Sequence, residues 1–260
     1  MKEVLNLPNE GVSCESCHNA ADAWILSHTR PDYTHAQRVK AGLRDLRDLP
    51  MRANTCVACH ENMSPALTAA GHPPLRFELD GQIVSQPRHW IDKDPWIGPR
   101  MWLTGQATAL RERAWSLSNT PDPDAQKRME ALAWLLTAVA PQRGVATPVP
   151  SAADLAGWQK WAHALAQDAG KRAWNIEETR TLMTALTRIP AGSETFTHAQ
   201  AEALVMAIDR LHTALERNQA APVQTVEPLK RLCLTVAESY RYDPAIFSQA
   251  LTEFTAALAK

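Results

Sequence analysis

From Met101 to the end of the chain, apolar side chains recur every three to four positions. That spacing puts them on one face of a helix. MWLTGQATALRERAWSL (101–117) reads as one such helix. DPDAQKRMEALAWLLTAVA (122–140) opens on proline and aspartate, a helix-start signature, and continues as an amphipathic helix. SAADLAGWQKWAHALAQDAG (151–170) reads as a helix capped by Ser151 and ended by Gly170. Further helices are predicted over 175–189, 197–218, 226–240 and 243–259. The breaks TPDPD, APQRGVATPVPS, IPAGSET and QAAPVQT are short turns. Apart from a short strand signal at Leu75 to Leu79, nothing alternates with period two.

The first ninety residues are less regular. Pro31 should break a helix that follows the first cysteine pair, and Asp32 or Thr34 can cap the next one, opening at His35. DKDPWIGPR (92–100), with two prolines and a glycine, marks a boundary. The expected class is all-α: an N-terminal region of little regular sheet over residues 1–92, followed over residues 93–260 by a helical bundle or helical hairpins.

Composition narrows the chemistry. A chain of 260 residues, 45% hydrophobic, can bury a substantial core. A formal net charge of −1 gives no electrostatic footprint for nucleic acid. No apolar run approaches the roughly 18 to 20 residues that cross a bilayer. MKEVLNLPNE has no apolar segment of the secretory kind, so an export signal is expected to have been removed or to lie outside this chain.

Cysteine placement is the sharpest signal. Four of the five cysteines fall in two matching strings: Cys14, Cys17 and His18 in SCESCHNA, and Cys56, Cys59 and His60 in NTCVACHEN. C-x-x-C-H is the spacing of covalent c-type haem attachment. The two thiols add to the vinyl groups on one side of a porphyrin, and the following histidine supplies an axial imidazole. A thioredoxin-like pair needs a βαβ setting and no histidine. A Cys₄ zinc site would use all four thiols but leaves His18 and His60 unexplained. Two covalently attached haems c are therefore expected, and residues 1–92 read as a dihaem cytochrome domain. Such attachment normally takes place outside the bacterial cytoplasm, so a periplasmic or otherwise exported location follows. Cys233, in an apolar helical stretch, reads as a buried structural thiol.

Each iron needs a sixth ligand. His35, in the first turn of its helix, and His72, presented by Gly71, Pro73 and Pro74, are the leading distal candidates. His28 and His89 stand behind them: His28 would lie on the helix that carries His18, and His89 would pack on Trp90. Met51 and Met63 are the thioether alternatives, which would raise the reduction potential. The expectation is bis-histidine ligation. His163, His198 and His212 read as ordinary surface or core histidines, and Trp158, Trp161 and Trp174 as core packing. One or two of Arg30, Arg38, Lys40, Arg44, Arg47, Arg52 and Arg76 are expected on haem propionates.

GVSCESCH…W…SH, then RANTCVACH, AAGHPPLRFEL and RHW together resemble the multihaem cytochromes related to the tetrahaem electron acceptor of hydroxylamine oxidoreductase. The resemblance covers roughly Gly11 to Leu110. It implies a periplasmic electron carrier or electron-transfer subunit, with closely packed haems ligated mainly by histidine. It carries over Cys14, Cys17, His18, Cys56, Cys59 and His60, and places His35 and His72 where the family presents histidines before and after its haem motifs. Relatives usually carry further haem motifs, which this sequence does not, so a reduced dihaem member or a subunit completed by a partner chain is expected. The implied partners are redox proteins, other multihaem cytochromes or an oxidoreductase, with oligomerisation or complex formation through residues 93–260 as scaffold and docking domain. The competing expectation is a redox enzyme with one open-coordination haem acting on a small nitrogen or oxygen compound.

Overall fold

The computed structural model describes residues 13–63, 65–72, 75, 77–81, 92–145, 150–191 and 195–260. His89 and Arg76 lie outside the described residues. Among the described residues there is no strand, and the architecture is all-α. The short strand expected at Leu75 to Leu79 does not form over the described positions: Leu75, Phe77 and Glu78 are irregular and Leu79 begins a helical turn.

The N-terminal region holds short helices: α1 (Cys14–His18), α2 (His35–Lys40), α3 (Leu49–His60) and α4 (Pro65–Ala69). The predicted helix after the first motif is a run of turns instead. Asn19 ends α1 with φ 70°, a conformation in which a helix cannot continue, and residues 22–29 stay in turns. Thr34 is the cap that starts α2: its side chain accepts from the Gln37 N–H while Gln37 reaches back, a reciprocal capping box. In α3, Asp48 caps the first turn, and Leu49, Ala53 and Val57 fall four apart on one buried face.

The C-terminal portion comprises α5 (Ile97–Asn119), α6 (Pro123–Gln142), α7 (Leu155–Lys171), α8 (Ile176–Leu186), α9 (His198–Arg217), α10 (Val226–Leu234) and α11 (Pro244–Leu258). α5 is the hub. Every residue from Met101 to Leu110 is buried, so this helix is enclosed on all sides, packing along α7 and also against α3, α6 and α9. It begins at Ile97, inside the stretch that reads as a boundary. Pro99 is tolerated there because first-turn N–H groups have no intrahelical partner. Leu49, Ala53, Val57, Phe77 and Leu79 belong to the same hydrophobic core as α5 to α11. No described helix is long and apolar enough to cross a membrane.

Two local readings of α7 change. Its cap is Asp154, whose carboxylate accepts from the Gly157 N–H at 2.7 Å, not Ser151. Gly170 does not end the helix but sits within it, where a Cβ would come 2.6 Å from Pro50 Cδ of α3. Glycine is required there by a close helix–helix approach. Trp158, Trp161 and Trp174 are buried as expected, the first two edge-on at 5.5 Å.

Candidate haem centre

Each cysteine–cysteine–histidine set occupies positions i, i+3 and i+4 of one helical turn, a single face. In the first set that turn is the whole of α1. In the second it is the last turn of α3, which the core anchors through Leu49, Ala53 and Val57. All four thiols are free; Cys14 and Cys59 are exposed, Cys17 and Cys56 half-buried. Burial, together with the neighbouring Cys17 and Cys59, pushes the Cys56 thiol up to about 11, with Arg52 opposing. The two motifs lie side by side: Arg44 Nη1 is 3.4 Å from Cys17 O in the first and 3.2 Å from Oγ1 of Thr55, the residue before Cys56.

His18 is half-buried and stands edge-on to Trp24 at 6.3 Å. Trp24 is buried, donates its indole N–H to Ala20 O at 2.9 Å, and meets His28 edge-on at 5.9 Å. The indole of Trp24 thus contacts both imidazoles. His28 is exposed, with Nδ1 on Ile25 O, which leaves Nε2 as the nitrogen that could meet a metal. His35 is half-buried and Nε2 lies 3.0 Å from Asp45 Oδ1, which leaves Nδ1 for a metal.

His60 is half-buried against Phe77, ring centroids 6.2 Å apart. The next residue, Glu61, is gripped by Arg113 of α5, whose Nε and Nη2 donate to its two oxygens at 2.9 and 2.8 Å. Asn62 donates to Glu112 at 2.6 Å. The end of α3 is thus fastened to the hub helix on the residues that follow His60. In front of it opens a cavity of about 1080 Å³, lined by His60, Met63, Ala69, Leu75 and Phe77 from the N-terminal region and by Gln106, Arg113, Trp115, Arg128, Leu132, His198 and Met206 from the helices beyond. This volume lies at the top of the roughly 300–1,000 Å³ typical of small-molecule sites. Ala69 and Leu75, on either side of His72, both border it, while His72 itself is exposed.

The contribution of α5, α6 and α9 to this wall was not legible in the sequence, because it depends on long-range packing. His198 is one such residue: it lines the cavity, with Nε2 3.1 Å from Val236 O. His212 is buried on Thr225 Oγ1 at 2.7 Å, a core histidine, and His163 is exposed. Cys233 is half-buried rather than buried and lines a smaller cavity with Glu78 and Arg210. Of the basic residues expected on propionates, Arg30 pairs with Asp32, Arg52 binds Leu46 O and Asp92, and Arg44 is bonded to main-chain carbonyls.

Among the described residues, no three His, Cys, Asp or Glu side chains converge as a bare-ion site requires. The four thiols are accordingly not gathered into a tetrahedral Cys₄ set. A haem makes a different demand. Its porphyrin supplies four iron ligands, so the protein need offer only one or two imidazoles per iron and a thiol pair beside one of them. The two helical faces carry that donor set. No protein-family model, curated protein or solved structure matches the chain.

Proposed function

We propose that the chain is a c-type cytochrome with two covalently attached haems, transferring single electrons as an exported carrier or as an electron-transfer subunit of a larger complex. The observation that carries this reading is the repeated helical face of two free thiols and an imidazole, placed side by side in the two motifs. A bound haem supplies reversible one-electron iron chemistry. The chain's own residues do the rest. Cys14 with Cys17, and Cys56 with Cys59, are the thioether anchors. His18 and His60 offer the proximal nitrogens, and Trp24 and Phe77 restrict the rotation of those rings. The Glu61–Arg113 pair holds the main chain behind His60. The walls of the large cavity, taken partly from α5, α6 and α9, bound the space in front of His60 at the second site.

His72 is proposed as distal ligand at the second site, since its neighbours Ala69 and Leu75 border the cavity. At the first site His35 is proposed, through Nδ1, with the Asp45 carboxylate fixing its tautomer. His28, which shares the Trp24 indole with His18, is the lesser distal candidate. The resemblance to multihaem cytochromes related to the electron acceptor of hydroxylamine oxidoreductase belongs to this proposal, as do a periplasmic location and redox-protein partners.

Low-temperature electron paramagnetic resonance of the oxidised holoprotein tests the ligation. Two low-spin centres of bis-imidazole type are expected, with potentials below those of His/Met haems. A high-spin signal from about half the iron, with rapid cyanide or nitric oxide binding, would replace the carrier reading with that of an enzyme.

A further inference from the structure

The loop between the two motifs returns to both of them through one residue. Gly42, at φ +106°, reverses the chain, and Asn19 holds the turn by donating to Gly42 O at 3.3 Å. Arg44 then lies against the end of α1. Its backbone N–H donates to His18 O at 3.0 Å, and its Nη1 donates to Ser16 O at 3.2 Å and Cys17 O at 3.4 Å. These are the closing carbonyls of α1, acceptors that a short helix leaves without intrahelical partners, and a cation suits them. The same Nη1 lies 3.2 Å from Thr55 Oγ1. Thr55 donates its own hydroxyl proton to Met51 O at 2.9 Å, so its oxygen meets Arg44 as an acceptor. Thr55 directly precedes Cys56. One guanidinium therefore ties the main chain of the first attachment motif to the residue before the second.

We propose that Arg44 is a positioning residue that fixes the first haem-attachment motif against the second and so sets the coupling between the two attached groups. This rests on the reading of both motifs as haem sites. Nothing else among the side-chain hydrogen bonds described above joins α1 to α3. α1 is five residues long with none of them buried, so core packing does not fix its position. The charge acts as well: a cation beside both sites favours the less positive, reduced iron at each.

The test compares native holoprotein with Arg44→Ala, Thr55→Val and Arg44→Lys. Covalent haem is counted by intact mass. Haem–haem coupling is read from the exciton couplet in the Soret circular dichroism, and midpoint potentials by titration. All four proteins are expected to carry two haems. The couplet should fall at least twofold in Arg44→Ala and in Thr55→Val, which removes only the far acceptor, and should recover in Arg44→Lys. Both potentials should move negative in Arg44→Ala and not in Arg44→Lys. A native protein with two haems but no couplet, or variants whose couplet is unchanged, would overturn the role of Arg44 alone. If Arg44→Ala does not fold, Thr55→Val decides by the same criterion. A native protein without covalent haem would overturn this inference together with the proposed function.

Discussion

Gly170→Ala sets two effects of opposite sign against each other at the joint that carries the second motif. Alanine is the better helix former, by about 1 kcal/mol in a helix interior and less in a last turn. The added methyl, however, would stand 2.6 Å from Pro50 Cδ and 2.9 Å from its Cγ. Carbon atoms rest at roughly 3.5–4.0 Å, so α7 and α3 must part by about 1 Å. The pyrrolidine ring cannot swing away, because it is buried in the first turn of α3. Overpacking of this kind costs roughly 1–3 kcal/mol, so the net expectation is a loss of about 1–2 kcal/mol. Urea denaturation should show a lower midpoint at unchanged slope. Pairing the variant with Pro50→Ala removes the obstacle, and the two changes should then be far from additive. A Gly170→Ala protein more stable than its parent, by the amount that propensity alone provides, would refute the close approach of α7 to α3.

In the haem-free chain, Cys56 at about 11 against an ordinary 9.0 should hold a thiolate fraction about a hundredfold smaller at pH 8 than the unfolded chain holds. Its alkylation rate should keep rising with pH beyond 9; a plateau near 9 in the folded chain would show that the thiol is not buried. His212 is lowered from 6.5 by burial, with Glu216 and Asp209 opposing. A depressed folded pKa means that the unfolded chain binds the extra proton first, so this contribution to stability is present above about 6.5 and is lost as pH falls further. The stability gap between the parent and His212→Gln should shrink between pH 7 and pH 5; a constant gap would contradict it.

The helices past Met101 were legible because amphipathic periodicity is a local property, and each has a side-chain cap or a buried stripe to match. The cysteine–histidine spacing was legible, but that each set makes one helical turn, the second at the end of α3, was not read from it. What escaped the sequence reading depends on contacts between distant segments. Asn19 was not foreseen as a helix end, because asparagine tolerates positive φ without requiring it. Gly170 reads as a terminator until Pro50 is set against it. Arg44 stands in the sequence as one of several basic residues suited to a propionate, and only the folded loop brings it to Ser16, Cys17 and Thr55. The wall that α5, α6 and α9 give to the His60 cavity is likewise a product of packing, and it makes the C-terminal portion part of the candidate site as well as its scaffold.

The central claim, two haems held by thioether bonds at Cys14/Cys17 and Cys56/Cys59, is tested most directly by acid–acetone extraction of the protein followed by intact-mass measurement. A colourless extract and a polypeptide heavier than the bare chain by two haem units are expected. Cys56→Ser should leave the second haem on a single thioether or lost. Haem released into the acetone, or a chain of unmodified mass carrying stoichiometric zinc, would contradict it.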